Sequence, residues 1–230
     1  MDKSRSRRKR GSLSPEEIVA AAMSLLDSEG ESALTFTRLG EELSASPTAF
    51  YRHFGSRAEL VSEIADRLDA LSLAGFEPTD DWRADLTELA WRAWRVALEH
   101  PAAAALSLGI ITNGVEELRA VEAVLRALHV AGLRGRVAVV YYQAYANLVL
   151  SAAQSQAARL AAADNAGGPL RLVQAYSPAD PNQFPFADSV RNELRRVDYE
   201  EVFATQLKMY VDALELVIAR EGINAGPSPR

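Results

Sequence analysis

The sequence predicts an all-α protein: an N-terminal three-helix unit containing a helix-turn-helix, followed by a larger C-terminal helical domain. Three observations predict it. The 230 residues include 40 alanines and 22 arginines, both helix formers, against 13 glycines and 10 prolines. Apolar residues recur three and four positions apart, the spacing of one helix face. No stretch alternates as a strand does, and no repeat of 20–50 residues is present.

The elements follow in order. Ser14-Pro15-Glu16-Glu17 opens a first helix: a capping hydroxyl, a proline whose missing N–H costs nothing there, and a glutamate able to reach back. Ile18, Ala22, Leu25 and Leu26 share its apolar face, and Gly30 is placed to end it in a left-handed conformation. Thr35 or Thr37 starts a short second helix with Leu39 and Leu43 inward. Ser44-Ala45 breaks it. Ser46-Pro47 then serves as cap and first residue of a third helix, Pro47 to about Phe54. Gly55 stops that helix. Ser56-Arg57-Ala58-Glu59 is a second capping box, launching a fourth helix through Leu60, Ile64, Leu68 and Leu71.

Gly75-Phe76-Glu77-Pro78 reads as a linker. Asp80 is a cap for a fifth helix, from about Asp81 to Glu99. It is apolar on two sides and therefore central: Leu86, Leu89, Ala93 and Ala97 on one, Trp91, Trp94 and Leu98 on the other. Pro101 starts a short helix, and Asn113 caps another that ends near Gly132. Val137 to Ala158 is 22 residues without a charge. That length suits a bilayer, but its glutamines, asparagine, serines and tyrosines favour burial among other helices. Residues 164–187, with five glycines and prolines between Gly167 and Pro181, read as a long loop. A last helix runs from about Asp198 to Arg220.

Composition narrows the function. Hydrophobic residues at 48% and charged residues at 24% exclude a mainly disordered chain. The absence of cysteine excludes disulfides, thiolate zinc sites and cysteine nucleophiles. Three scattered histidines give no metal spacing, and there is no nucleophile elbow or glycine-rich phosphate loop, so neither an enzyme, a metal nor a cofactor is expected. No apolar run follows MDKSRSRRKR, so no secretory signal is expected and the cytoplasm is the natural location.

The net charge of −6 is unevenly spread. Residues 1–10 carry six basic side chains and one acidic, residues 1–60 balance at nine of each, and residues 61–230 hold the acidic excess. No acid lies between Glu42 and Glu59. Two short helices separated by a tight break form a helix-turn-helix, whose second helix fits the DNA major groove. Ser46, Thr48 and Tyr51 offer hydroxyls to phosphates. Arg52 and Arg57 supply charge, and Arg52 suits a guanine edge. Phe50 and Phe54 read as core plugs of the unit.

The segment Leu34-Thr35-Phe36-Thr37-Arg38-Leu39-Gly40-Glu41-Glu42-Leu43, then Ser46-Pro47-Thr48-Ala49-Phe50-Tyr51-Arg52-His53-Phe54-Gly55-Ser56-Arg57-Ala58-Glu59-Leu60, resembles the DNA-binding segment of the tetracycline-repressor (TetR) family over roughly residues 14–75. Arg57 departs from the commoner lysine but keeps its charge. The resemblance implies an all-α homodimer on a palindromic DNA operator, released by a small molecule bound in the C-terminal domain. It implies that Thr37 and Arg38 lie near the DNA backbone and that Thr48, Ala49, Tyr51, Arg52 and His53 line the recognition helix. Arg57 would contact phosphate. Arg5, Arg7, Arg8, Lys9 and Arg10 would track the backbone or enter the minor groove.

The expected organisation is a basic flexible arm over 1–13, the DNA-binding unit over 14–60, a connecting helix over 61–75, a ligand-binding and dimerisation domain over 76–221, and a flexible tail over 222–230. The resemblance places the dimer interface on the helices near 136–163 and 198–220, and the pocket on the fifth and eighth helices. Pocket candidates are Trp91, Trp94, Tyr141, Tyr142, Tyr145 and Asn147: aromatic walls with a few polar groups. With no evident acidic cluster facing a cation, a mostly apolar or aromatic effector is expected. Its binding would shift the population towards a form in which the fourth helix swings the recognition helices apart. The alternatives are a DNA-binding regulator without small-molecule control and, remotely, a helical enzyme.

Overall fold

The computed structural model describes residues 13–166, 180–194 and 196–220. The expected arm over 1–13 lies outside these residues apart from Leu13. The tail over 222–230 and much of the expected loop over 164–187 also lie outside them. Every regular element among the described residues is helical: α1 (Pro15–Glu29), α2 (Phe36–Leu43), α3 (Pro47–Phe50), α4 (Arg57–Leu73), α5 (Trp82–Glu99), α6 (Pro101–Ser107), α7 (Val115–Val130), α8 (Gly135–Ala166), α9 (Pro185–Ser189), α10 (Arg191–Leu194) and α11 (Tyr199–Arg220). α9 begins inside the segment that the sequence reads as loop, with Pro185 as its first residue, and α10 lies between that segment and the expected last helix.

Local chemistry sets the N-terminal boundaries. Ser14 Oγ accepts the Glu17 N–H, and the Glu17 carboxylate accepts the Ser14 N–H, each at 3.1 Å. This satisfies two helix-end donors reciprocally. Gly30 has φ 77° but ψ −178°, so it leaves α1 extended and not left-handed helical, leading into a 3-10 turn, Glu31–Ala33. Of the two candidate threonines, Thr35 caps α2, accepting the Arg38 N–H at 3.1 Å. Ser46 precedes α3 but does not cap it; its hydroxyl pairs with that of Thr48 at 2.9 Å. α3 also stops sooner than the sequence suggests, because the His53 and Phe54 amides both return to the Phe50 carbonyl and tighten the chain into turns. Ser56 Oγ caps α4 by accepting the Glu59 N–H at 3.2 Å, while the Glu59 carboxylate takes the Gly55 N–H at 2.7 Å, one residue before the expected box.

The turn between α2 and α3 depends on Gly40. A Cβ there would stand 2.7 Å from the Ala45 carbonyl oxygen, and the Ala45 N–H donates to Gly40 O at 2.9 Å. Glycine thus permits the close approach that sets α3 beside α2.

α5 is the central strut, packed against α4, α6, α7, α8 and α11. Asp81, not Asp80, caps it. Buried Asp85 accepts the Thr79 N–H at 3.0 Å and its hydroxyl at 2.7 Å and faces Arg126 at 3.6 Å, which pins the 74–81 linker. Asn113 does not cap α7; it takes φ 57°, and the Asp66 carboxylate of α4 accepts the Glu116 and Glu117 N–H groups at 3.1 and 2.9 Å.

One core runs through the molecule, from Ile18, Leu39, Phe50 and Ile64 to Leu86, Leu128, Leu133 and Phe203. The uncharged run of α8, residues 137–158, is not buried all round. Ala138, Tyr145, Val149, Ala153 and Ala157 form its buried stripe, while Val139 and Val140 are exposed. Among the described residues no helix is long and apolar enough to cross a membrane.

Candidate nucleic-acid interface and ligand cavity

Three aromatic side chains build the platform under the exposed end of α3. Phe50 and Phe54 are buried, as their sequence positions imply, and Phe36 stacks on Phe50 at 5.9 Å. Tyr51 stands edge-on to Phe36 at 4.9 Å yet remains 60% exposed. Around it Thr37, Ser46, Thr48, Arg52 and His53 are exposed, with Ala49 half-buried. This is an exposed patch of hydroxyls, an imidazole and a guanidinium on a base of packed aromatic rings.

The three arginines of this surface differ. Arg38 is held by carboxylates of Glu29 and Glu42, with Glu41 at 3.8 Å. Its hydrogen bond holds the Glu29 carboxyl below the usual carboxylate range. Arg57 donates to the Leu34 carbonyl at 3.3 Å and to Glu31 at 3.1 Å. Arg52 has no ion-pair or side-chain hydrogen-bond partner among the described residues.

Residues of α4, α5, α6, α7 and α8, with the loop after α6, surround a cavity. It holds about 780 Å³ of space free of protein atoms, part of it open to solvent. Most of the wall is apolar: Leu73, Leu89, Val121, Val124, Val149 and Leu150. Asp69 and Ser72 of α4, Ser107 of α6, Glu117 of α7 and Tyr142 of α8 supply polar groups. Tyr145 is buried wall, and its hydroxyl donates to the Leu86 carbonyl at 2.6 Å. Burial pushes its ionisation well above the ordinary phenol range.

The acids here have different duties. Asp66 caps α7. Glu117 Oε2 accepts the Thr112 N–H and hydroxyl at 2.8 and 2.9 Å and the Asn113 N–H at 2.7 Å. Nothing among the described residues donates to the Asp69 carboxylate. Burial, then the charges of Asp66, Glu117 and Glu116, pushes its pKa up to about 7. Burial and the Glu117 and Asp69 charges likewise raise Tyr142.

Of the expected pocket residues, Tyr142 and Tyr145 line this cavity; Trp91, Trp94, Tyr141 and Asn147 do not. Trp94 stacks on Phe203 at 4.5 Å and Trp91 meets the same ring edge-on at 5.1 Å, so both serve the α5–α11 contact. Trp94 borders a separate groove with Ser151, Arg159 and Tyr199, and its buried indole N–H has no hydrogen-bond partner among the described residues. Tyr141 sits against α11, its carbonyl accepting the Tyr210 hydroxyl at 2.7 Å. Asn147 is exposed. Helical phase explains the division: 142, 145, 146, 149 and 150 share one face, and 147, two residues beyond 145, lies about 200° round the helix from it. Two acids that the sequence reading did not name for the pocket, Asp69 and Glu117, also line the cavity. Ala65, Asp69, Ser72 and Leu73 recur at helical spacing on α4, and an acid on that stripe was the available signal.

Comparison with known proteins agrees with both halves. Residues 18–64 match the family described as "Bacterial regulatory proteins, tetR family", and residues 74–218 match "Tetracyclin repressor-like, C-terminal domain". An HTH-type transcriptional regulator of Saccharopolyspora erythraea is 32% identical over 120 residues, 52% of this chain and 51% of that protein. The match thus spans about half the length of that curated relative. A crystal structure of a transcriptional regulator from Streptomyces coelicolor superposes with a TM-score of 0.72 at 25% identity, covering 91% of this chain and 99% of that one. BioQ, solved with its double-stranded DNA operator, superposes with a TM-score of 0.56 at 28% identity over 64% of this chain and 88% of that one. With the helix-turn-helix and the larger helical domain both matched, the chain belongs to the tetR family of bacterial regulatory proteins, a family of helix-turn-helix transcriptional regulators.

Proposed function

We propose that this chain is a ligand-responsive one-component repressor that reads a palindromic operator as a homodimer and lets go when a small molecule fills the cavity. One observation carries the reading. α4 begins at Arg57, beside the recognition patch, and its far half supplies Asp69, Ser72 and Leu73 to the cavity wall. A single helix therefore touches both sites, and a ligand that prefers one position of α4 biases the other site. The DNA-bound BioQ supports the first half of the reading. Exposed apolar residues on α8 and α11 support the dimer: Val137, Val139 and Val140 on one, Val202, Met209 and Leu216 on the other.

Selection of random duplexes by the purified protein tests the proposal. The expected outcome is an enriched inverted repeat with half-sites about one helical turn apart. No enrichment at low salt, from a folded sample freed of bound small molecules by unfolding and refolding, overturns it.

A further inference from the structure

We propose that Asp69 makes the cavity selective for organic cations: an apolar, largely aromatic body bearing one protonated or quaternary nitrogen set against the Asp69 carboxylate. This rests on the reading that the cavity is the effector site, and it gives that effector a charge.

The geometry separates Asp69 from its neighbours. Asp66 and Glu117 are committed to the N-terminus of α7 and the loop before it. Among the described residues Asp69 lines the cavity with no donor or cation reaching its carboxylate, and no lysine, arginine or histidine lines the cavity. The groups facing it are the acids Asp66 on α4 and Glu116 and Glu117 on α7, and the phenol of Tyr142 on α8; α5 and α6 present uncharged residues to the cavity. A half-buried carboxylate among like charges is costly when ionised, and a ligand cation removes that cost while leaving water. The mostly apolar wall, with the Tyr142 and Tyr145 rings in it, suits a flat aromatic body. An anion would meet the carboxylates of Asp69 and Glu117 and no counter-charge among the described lining residues. The raised pKa of Asp69 adds a pH response: the site gains its charge near pH 7, and a cation of fixed charge binds more tightly as the carboxylate ionises.

The test uses the full-length protein and three probes of one shape, titrated calorimetrically at pH 6 and pH 8. They are (2-naphthylmethyl)trimethylammonium, 2-naphthalenemethanol and 2-naphthoate. The quaternary probe keeps its charge at both pH values, so any pH effect on it belongs to the protein. At pH 8 the ammonium is expected to bind at least about tenfold tighter than the alcohol, with the naphthoate weakest. Its advantage shrinks at pH 6. Asp69→Asn, nearly isosteric, is expected to abolish both the preference and its pH dependence while leaving alcohol binding within about twofold. Equal binding of ammonium and alcohol by the parent protein at pH 8, or an unchanged preference in Asp69→Asn, overturns the proposal. The parent comparison needs no variant to fold. Ala120→Trp, which fills the cavity from α7, separates the two readings. If it blocks ammonium and alcohol that had bound equally, charge selection fails and the cavity reading stands. If none of the probes binds the parent protein, or Ala120→Trp leaves binding untouched, the cavity reading fails as well.

Discussion

Asp69 affects folding as well as recognition, and the sign of its effect follows from its pKa. In the native protein it titrates near 7, against an ordinary value of 3.8. Below about pH 4 both native and unfolded states hold the proton, and Asp69 contributes nothing to the pH dependence. Between the two values the native state keeps a proton that the unfolded chain has lost, so stability falls as pH rises and stays lowered above 7. Asp69→Asn is therefore expected to stabilise the protein at pH 8 by on the order of 1–2 kcal/mol, after allowing for solvent screening of a partly exposed group. The gain should vanish near pH 4. Thermal melts of both proteins at the two pH values check this, and an equal gain at both would refute it. The sequence hid this residue because an acid among apolar neighbours on an amphipathic helix reads as a solvent-facing position. The patch residues Thr48, Tyr51 and Arg52 were legible because they sit in one contiguous motif, and the structure leaves them exposed.

At the scale of elements, the joint between α4 and α7 is the most specific contact described. Asp66 supplies the cap that α7 lacks in its own sequence, and Gly114 makes room for it: a Cβ at 114 would overlap the Asp66 carboxylate. Asp66→Ala should cost about 1 kcal/mol as a lost cap. Gly114→Ala should cost a similar amount by displacing the same carboxylate, about 1 kcal/mol. Because both changes remove one interaction, the double variant should cost little more than either alone, with a coupling of about 1 kcal/mol in urea unfolding. Simple additivity would show that Gly114 acts elsewhere. The same joint shows what sequence reading reaches. Ser14, Thr35 and Ser56 were legible as caps because donor and acceptor lie three residues apart. The α7 cap was not, because it crosses from another helix 50 residues away in the chain. Likewise the uncharged run of α8 marked a helix, but its exposed flank depends on which helices pack beside it.

For the whole molecule, the prediction concerns assembly. Val202, Met209 and Leu216 recur every seven residues along one side of α11, and Met209 and Leu216 are 66% and 59% exposed. That spacing suits a seam with another helix. Met209→Asp combined with Leu216→Asp should leave the fold intact, since neither side chain is in the core, yet yield a monomer by sedimentation equilibrium. Operator affinity should fall on the order of a hundredfold, because the second half-site is no longer held at high effective concentration. A dimeric double variant would refute this seam. The all-α architecture was readable from periodicity and caps. The cavity was not, since five helices spread over some ninety residues contribute its wall and their mutual packing decides which side chains meet there. The acids beside the recognition patch have a further effect on the molecule as a polyelectrolyte. Glu29, Glu42 and Glu31 serve Arg38 and Arg57 as built-in counterions. If Arg38 and Arg57 meet phosphates, each would trade one anion for another with little net ion release, and the ionic-strength dependence of binding would fall chiefly to cations without an ion-pair partner among the described residues, such as Arg52.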